Sequence, residues 1–467
     1  MVSTMTGVEK VKIPEGYKQT EVGVIPEDWQ VVQVQDVCGF IVPGRNKPEK
    51  FDGDIPWITT PDLTDGRIVY HSGSGLKISK EEAKSVGSKI VPQNSVIMSC
   101  VGELGIVAIA GCNMVLNQQL HAFLPSSKIN SFYLAYSLKT QEKYFYSAAT
   151  KTALPYLNKD NCNATPLVLP NIKEQTAIAN ALSDVDNLIA SLETLVAKKS
   201  AIKTAAMQQL LTGKKRLPAF VKESEKQSSE LDNTSETAQA TQTKQTSTLN
   251  SDLYKKPSEG LDTKSNQHSD VGNANNKQTA PRPGYKQTEL GEIPEDWEVR
   301  VLGESLSIMH GRDQKQVECA DGKFPILGTG GEMGRTDSYL YNKPSVLIGR
   351  KGSINKPRYM DSPFWTVDTL FYSQVSEKFN AKFIFYKFCM IDWMSYNEAS
   401  GVPSLNSSTI ESVMQVFPET REEQTAIANV LSDMDTELEA LQQRLNKTKT
   451  IKQGMMQELL TGKTRLV

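Results

Sequence analysis

The sequence predicts an α+β fold built from two strand-rich mixed domains, each followed by one long helix. A stretch at 16–29, in which Gly-Tyr-Lys-Gln-Thr-Glu precedes Ile-Pro-Glu-Asp-Trp, returns at 284–297. A second stretch at 174–180, Glu-Gln-Thr-Ala-Ile-Ala-Asn, returns at 423–429. Each copy is of domain size, unlike a short solenoid repeat. Matching ends with different middles indicate one scaffold that presents two different domains.

Composition describes an ordinary globular protein with little net charge. The chain of 467 residues carries a formal charge of −2, and the region 284–420 is net acidic. A protein that binds DNA alone is usually basic, so any DNA binding here would rely on a partner for positive charge. The six cysteines form no Cys-x-x-Cys pair. Because no signal peptide or apolar run of ~18 residues is evident, we expect a cytoplasmic protein with reduced thiols and no metal site.

The chain divides into five segments. A region rich in Ser, Thr, Gln, Asn and Lys separates the two copies, and such a composition cannot bury enough apolar surface to offset its ordering entropy. The predicted segments are a first head at 1–172, a first long helix at 173–217, a flexible linker at 218–283, a second head at 284–420 and a second long helix at 421–467.

Short apolar segments bounded by Pro, Gly, Asp or Asn predict strands in both heads. They lie at 54–60 and 94–99 in the first head, and at 324–327, 339–341 and 345–349 in the second.

One aromatic-rich helix is predicted in each head, at 131–145 and 381–394. A Pro-x-Leu-Asn phrase follows each of them, at 155–158 and 403–406. The two heads therefore share a frame although their sequences differ.

The segment 174–211 and its copy each read as one helix of about 57 Å, at 1.5 Å per residue. Apolar residues recur at alternating spacings of four and three, which is typical of a coiled-coil seam. The seam residues are Ile178, Leu182, Val185, Ile189, Leu192 and Val196, and Ile427, Leu431, Met434, Leu438, Leu441 and Leu445. Gly213 and Gly462 stand where a helix end favours a left-handed residue. The seams predict that the two helices pair; the alternative is two surface helices that each pack on their own head.

The sequence contains no recognisable catalytic motif. The glycine-rich stretch 328–334 lacks the G-x-G-x-x-G spacing and favours a tight turn, and no phosphate-binding P-loop occurs. The chain has no Asn-Pro-Pro-Tyr type tetrapeptide for methyl transfer and no carboxylate cluster suited to a nuclease. The histidines, which pair with no nucleophile, are scattered at His71, His121, His268 and His310. We expect a non-catalytic chain that binds no cofactor.

Two groups of residues are candidates for DNA contact. In the second head, a basic patch follows a strand and contains Arg350, Lys351, Ser353, Lys356 and Arg358. Arginine suits guanine and lysine attracts phosphate, although an ordinary solvated loop explains the pattern equally well. The corresponding stretch 99–103 of the first head has no basic residue. Its polar candidates are Thr59, Thr60, Asn117, Gln118 and Gln119, which are either adenine readers or a plain polar loop.

These motifs together resemble the specificity subunit of type I restriction-modification systems. The resemblance rests on Glu-Gln-x-x-Ile-Ala at the start of each long helix, on the repeated Ile-Pro-Glu-Asp-Trp and on Pro-x-Leu-Asn. Ile-Pro-Trp-Ile-Thr-Thr-x-Asp-Leu at 55–63 and Ile-Gly-Arg-Lys-Gly-Ser at 348–353 add to it. It covers nearly the whole chain except the linker, which is longer and more polar than such a connector requires.

The resemblance implies two target-recognition domains that each read one half of a bipartite, asymmetric DNA site. It implies two long helices that pair antiparallel with pseudo-twofold symmetry and set the spacing between half-sites. Two modification subunits would methylate adenine N6 with S-adenosylmethionine, and two restriction subunits would cleave DNA with ATP and Mg²⁺. Two other interpretations stay open: a coiled-coil adaptor with two β-rich ligand-binding heads, and a stand-alone restriction-methylation enzyme.

Overall fold

The computed structural model describes residues 13–44, 46–222 and 281–466. The described residues form two compact units, one from within 1–196 and 441–467 and the other from within 197–440. Each unit therefore holds one head together with part of each long helix. Most of the predicted linker, including His268, lies outside the described residues.

The first unit contains twelve short strands and the beginning of the first long helix. The strands are β1 (Tyr17–Thr20), β2 (Gly23–Pro26), β3 (Gln30–Gln33), β4 (Phe40–Ile41), β5 (Ile55–Ile58), β6 (Ile68–Val69), β7 (Lys77–Ile78), β8 (Val96–Ser99), β9 (Val107–Ala110), β10 (Val115–Leu116), β11 (Leu120–Phe123) and β12 (Pro166–Leu169). The helices are α1 (Val34–Val37), α2 (Lys80–Ser85), α3 (Ser131–Lys139), α4 (Glu142–Ala148), α5 (Lys159–Asn163) and α6 (Ile172–Leu210), with a 3₁₀ turn at Thr60–Asp62.

Two larger sheets and two two-stranded sheets, β1-β2 and β12-β3, form the first head. A five-stranded sheet has the order β4-β11-β8-β9-β6, and a three-stranded sheet has the order β10-β5-β7. Strands β5 and β10 run parallel, so their ends lie at the same edge. Strand β12, which leads into α6, pairs with β3 and ties the end of the head to its beginning.

The second unit repeats this plan with fewer strands. The strands are β13 (Tyr285–Thr288), β14 (Gly291–Pro294), β15 (Glu298–Val301), β16 (Leu306–Met309), β17 (Phe324–Gly328), β18 (Gly331–Thr336), β19 (Ser345–Gly349), β20 (Arg358–Met360), β21 (Trp365–Thr366), β22 (Leu370–Val375) and β23 (Met414–Phe417). The helices are α7 (Leu302–Ser305), α8 (Ala381–Met390), α9 (Ser407–Ser412) and α10 (Arg421–Leu459), with 3₁₀ turns at Pro218–Phe220 and Trp393–Tyr396. The two larger sheets have the orders β16-β22-β19-β20 and β18-β17-β21, β17 and β21 run parallel, and β13-β14 and β15-β23 form two-stranded sheets.

Three local predictions differ from the structure. The predicted helix 131–145 breaks into α3 and α4 at Thr140, and the predicted helix 381–394 ends at Met390. The predicted strand 339–341 forms only one isolated bridge, between Tyr341 and Phe364. Aromatic side chains occur in both helices and strands of a core, so their density alone did not locate these boundaries.

The long helices α6 and α10 contain 39 residues each and confirm the predicted α+β architecture. Gly213 and Gly462, just beyond their ends, have φ of 73° and 71°, which is the predicted left-handed conformation. Within each unit, residue numbers in successive ion pairs increase along one helix and decrease along the other, so the helices run antiparallel. The ion pairs that show this are Lys452–Asp186 and Lys449–Glu193 in the first unit, and Lys199–Glu437 and Lys203–Asp435 in the second. No helix in the described part of the chain is long and apolar enough to cross a membrane.

The twelve seam residues are distributed among three hydrophobic clusters, apart from two that belong to none of them. Ile178 and Leu182 pack in the main core of the first unit, and Ile427, Leu431 and Met434 pack in that of the second. A separate cluster between the two helices contains Val185, Ile189, Leu192, Leu441 and Leu445, whereas Val196 and Leu438 are half-buried. Each main core also contains residues from the end of the other long helix, Leu459 in the first unit and Leu210 in the second, so the pairing seam stays a prediction.

A buried tryptophan attaches the first head to α6. Trp29 Nε1 donates a hydrogen bond to Glu174 Oε2 at 3.1 Å, and both residues are fully buried. Arg465, which follows the end of α10, donates from Nη2 to the same oxygen at 2.8 Å and stacks over the Trp29 ring. The carboxylate that begins one long helix thus binds the arginine that follows the other.

The second unit repeats this arrangement with the roles of the repeats exchanged. Trp297 Nε1 donates to Glu423 Oε2 at 3.3 Å, and Arg216 Nη2 donates to the same oxygen at 2.6 Å. Arg216 follows α6, so each repeat supplies the arginine for the other repeat's head. Neither cluster was predicted from the sequence, although all of these residues lie in or next to the repeated phrases.

Candidate nucleic-acid interface

Two loops meet at one edge of the first head, where the parallel strands β5 and β10 end. Thr60 Oγ1 donates a hydrogen bond to Gln119 Oε1 at 3.1 Å, and Asn117 Nδ2 donates to the same oxygen at 3.3 Å. Asn117 is buried, whereas Gln118 and Gln119 are exposed. The structure thus brings these candidates together, and the two glutamines are the ones that a ligand can reach.

Thr59 supports this edge from within. Its backbone N and its Oγ1 both donate to Asp62 Oδ2 at 2.7 Å. The other oxygen of Asp62 accepts from Gly73 N at 2.7 Å and from Ser72 Oγ at 3.2 Å. Asp62 therefore joins two loops, and Thr59 uses both its backbone N–H and its hydroxyl to bind the Asp62 carboxylate. The Thr-x-x-Asp spacing is a capping signal that could have indicated this role.

The end of β8 and the Pro-x-Leu-Asn phrase complete the edge of the first head. Cys100 N donates to Gln119 O at 2.8 Å, and Leu157 N donates to Cys100 O at 2.9 Å. Gly102 has a φ of 78° and donates from its N to Pro155 O at 2.9 Å. Three loops that are distant in sequence are therefore joined by backbone hydrogen bonds.

The second head has the same backbone connections with different side chains. Arg350 N donates to Thr369 O at 2.8 Å, and Leu405 N donates to Arg350 O at 3.0 Å. Gly352 has a φ of 86° and donates from its N to Pro403 O at 2.8 Å. Arg350 thus occupies the position of Cys100, and Thr369 that of Gln119. The two edges share one frame and differ in what they present.

The basic candidates of the second head do not all project from this edge. Lys351 and Lys356 are exposed, whereas Arg350, Ser353 and Arg358 are half-buried. Arg350 Nη1 lies 3.4 Å from Asp368 O, next to the edge.

Arg358 points into the protein. Its Nη2 donates to the carbonyls of Gly328 and Thr329, the latter at 2.8 Å, and burial lowers the pKa of its guanidinium. Gly328 ends β17 and Thr329 begins the two-residue turn to β18, which confirms the predicted glycine turn. Arg358 therefore positions this turn.

Asp368 and Thr369 are edge residues that sequence analysis missed. They follow β21 as Gln118 and Gln119 follow β10, and Asp368 is exposed. Aligning the two heads on Leu120 and Leu370 would have found them. Their chemistry differs from that of the glutamines, because a carboxylate only accepts hydrogen bonds.

Among the residues that the structure describes, no group of three or more His, Cys, Asp or Glu side chains could hold a metal ion. What the edges offer is exposed amide, carboxylate and cationic groups, which are the groups that read base edges and phosphates.

Comparison with known proteins agrees with this chemistry. The family model for the type I restriction modification DNA specificity domain matches residues 26–203 and 294–450, which is most of the chain. The type I restriction enzyme MjaVIII specificity subunit of Methanocaldococcus jannaschii is 24% identical, over 97% of this chain and 96% of that protein. The MjaIX specificity subunit of the same organism is 31% identical over 37% of this chain and 41% of its own length.

A solved structure has the same fold. The type I restriction-modification S subunit from M. genitalium superposes with a TM-score of 0.55 at 14% identity, covering 92% of this chain and 96% of that chain. Together these matches confirm the resemblance that the repeated motifs predicted.

Proposed function

Because this chain belongs to the type I restriction-modification DNA specificity family, we propose that its two heads each read one half of a bipartite, asymmetric DNA site. The chain is the DNA-recognition subunit of such a system and is not itself an enzyme. The stand-alone enzyme and the ligand-binding adaptor are therefore set aside. Its partners are DNA and the other subunits of the system.

One observation carries the proposal of two half-sites. The backbone connections of the edge are the same in both heads, yet Gln118 and Gln119 stand where the second head has Asp368 and Thr369. Amide groups suit adenine edges, whereas a carboxylate accepts from the cytosine amino group. A common frame with different exposed groups is what two unlike half-sites require.

The long helices have a proposed second role, as a spacer and a docking surface. Their antiparallel, pseudo-twofold pairing would set the distance between the half-sites, and two modification and two restriction subunits would bind along them. Leu188 and Leu195 support docking, because they lie seven residues apart on α6 and remain exposed. S-adenosylmethionine would be bound by the modification subunits, and ATP and Mg²⁺ by the restriction subunits. The complex would act on DNA in the cytoplasm.

Exchange of the heads tests the assignment of half-sites. In one variant, residues 30–165 are replaced by a second copy of 298–413, and the chain is expressed with its modification subunits. Methylome sequencing should show a site whose two halves are both the second half-site of the parent. A methylated sequence identical to that of the parent chain would refute the proposal.

A deletion tests the spacer role. Four or seven residues are removed from α6 or α10, between the head that precedes the helix and the middle of the helix. The deletion should change the number of base pairs between the half-sites and leave the bases of each half-site unchanged. Seven residues correspond to about 10.5 Å of helix. An unchanged gap in the methylome would show that the helices do not set the spacing.

A further inference from the structure

Each head exposes one aliphatic side chain at the same place. Leu154 is 58% exposed and Val402 is 67% exposed. Each residue directly precedes the proline of a Pro-x-Leu-Asn phrase. The carbonyl of that proline, Pro155 or Pro403, accepts the backbone hydrogen bond that closes the edge. The two side chains therefore occupy equivalent positions on the shared frame.

These side chains adjoin the candidate nucleic-acid interface. In the first head, a Cβ atom added to Gly102 would lie 3.4 Å from Leu154 Cδ1. In the second head, the exposed Lys351 forms a backbone bridge with Ser404, two residues beyond Val402. We call Leu154 in the first head and Val402 in the second the aliphatic tips. In each head, the aliphatic tip and the polar edge therefore form one surface.

The residues around Leu154 differ in chemistry from those around Val402, although Leu154 and Val402 are both aliphatic. Val101 and Tyr156 flank the tip in the first head, where the second head has Lys351 and Ser404. Exposure of an aliphatic side chain forgoes about 25 cal/mol of stabilisation per Å². Both heads expose an aliphatic residue at this equivalent position, although its neighbours differ between the heads. This indicates a contact that both heads make with the same kind of partner.

We propose that Leu154 and Val402 are matched apolar contacts to DNA, each within its own head's half-site. DNA offers apolar groups in the thymine methyl and in the faces of unstacked base steps. DNA is favoured over a protein partner because the second tip lies beside Lys351, and an exposed cation there attracts phosphate. This inference rests on the proposal that each head reads one half-site.

The test compares Leu154→Ser and Val402→Ser in the full chain, assembled with its modification subunits. A library of duplexes randomised around the parent's methylated site is methylated and sequenced. Leu154→Ser should lower specific methylation about tenfold and relax base preference in the first half-site alone. Val402→Ser should do the same in the second half-site alone.

Matched variants separate contact from folding. Leu290→Ser removes an aliphatic side chain that is 46% exposed beyond strand β13 and should leave methylation unchanged. Leu154→Val and Val402→Leu, which exchange the residues of the two heads, should retain most of the parent activity.

Two results would overturn the inference: base preferences identical to those of the parent, or loss of assembly with the modification subunits, which would assign the tips to a protein contact. Failure of the parent chain to show two separable half-sites would instead overturn the proposed function.

Discussion

Arg465 binds the carboxylate of Asp28 through two hydrogen bonds, of 3.0 and 2.9 Å, although 437 residues separate them in sequence. The hydrogen bonds and charge of Arg465 hold the pKa of Asp28 below its usual value. Arg216 binds Asp296 in the same way, at 3.1 and 3.2 Å. The Asp-Trp phrase that begins each head is therefore held by an arginine from the other repeat.

Loss of these arginines should destabilise the two units unequally. The Arg216 side chain is 3% exposed and that of Arg465 is 32% exposed. Arg216→Ala leaves the buried Glu423 without its cation, which costs about 3–5 kcal/mol. Arg465→Ala should cost less, because the partly exposed Arg465 makes an ion pair that solvent already screens. Urea unfolding followed by tryptophan fluorescence measures both costs.

Lys463→Ala is the control for this comparison, because the Lys463 side chain is 63% exposed and lies 3.9 Å from its partner Glu458. Its unfolding curve should match that of the parent chain. Equal decreases in the free energy of unfolding for Arg216→Ala and Arg465→Ala would show that burial of the arginine does not determine the cost.

Lys387 should make stability rise with pH. It is buried in the second unit, and its Nζ donates to Leu211 O at the end of α6. Burial lowers the pKa of Lys387 to about 7. Between about pH 7 and 10 the unfolded chain binds more protons at this residue than the folded chain, so the free energy of unfolding increases with pH. Lys387→Met should remove this increase.

Unfolding at several pH values measures the slope of the free energy of unfolding against pH. Lys387→Met also loses the hydrogen bond to Leu211, which shifts the free energy of unfolding at every pH without changing that slope. The exposed Lys378 provides a control, because Lys378→Met should keep the slope of the parent. Parallel curves for the parent and Lys387→Met would show that this lysine is charged in the folded chain.

His121 should make the first unit sensitive to acid. It is buried on β11, with Nε2 3.1 Å from Asn163 Oδ1. Burial lowers the pKa of His121 to about 4, against a hydrogen bond to Asn163 that raises it. Stability is therefore lost as the pH falls from about 6.5 towards 4, where only the unfolded chain is protonated at this residue.

Phe371 occupies the position in the second head that corresponds to His121, so phenylalanine is the replacement to test at His121. His121→Phe should lose less stability than the parent between pH 6.5 and 4, as measured by thermal unfolding. His71→Gln alters an exposed histidine and should follow the parent curve. An unchanged acid response in His121→Phe would place the proton uptake elsewhere.

Arg350 and Lys351 should affect DNA binding in different ways. Lys351 is exposed and suited to phosphate, so Lys351→Ala should reduce the salt slope of binding by about one and weaken all sequences alike. Arg350 lies beside Asp368 and suits a guanine edge, so Arg350→Ala should reduce discrimination at one base by about 1–3 kcal/mol.

Fluorescence titrations of the assembled complex at several salt concentrations measure both effects. Lys378→Ala removes an exposed lysine elsewhere in the second head and should change neither quantity. If both variants change only the salt slope, Arg350 contacts phosphate and does not read a base.

Prediction from the sequence succeeded where a local pattern carries the information. The repeated phrases identified the two heads, and the periodicity of α6 and α10 predicted their lengths within a few residues. At the edge, the candidate glutamines are exposed and their contact with DNA stays a prediction, whereas Arg358 is turned inward to hold the glycine turn. Asp368 was missed because nothing in its own neighbourhood marks it.

The sequence by itself determined the duplication, the long helices and the family, because each depends on residues that are adjacent or evenly spaced along the chain. Only the tertiary structure decided which seam residues pack into the heads and which join the helices. It also decided that Arg465 closes on Asp28 and that Leu154 stands beside Gly102. These contacts join segments far apart in sequence, and their free energy exists only once strands and helices have brought those segments together.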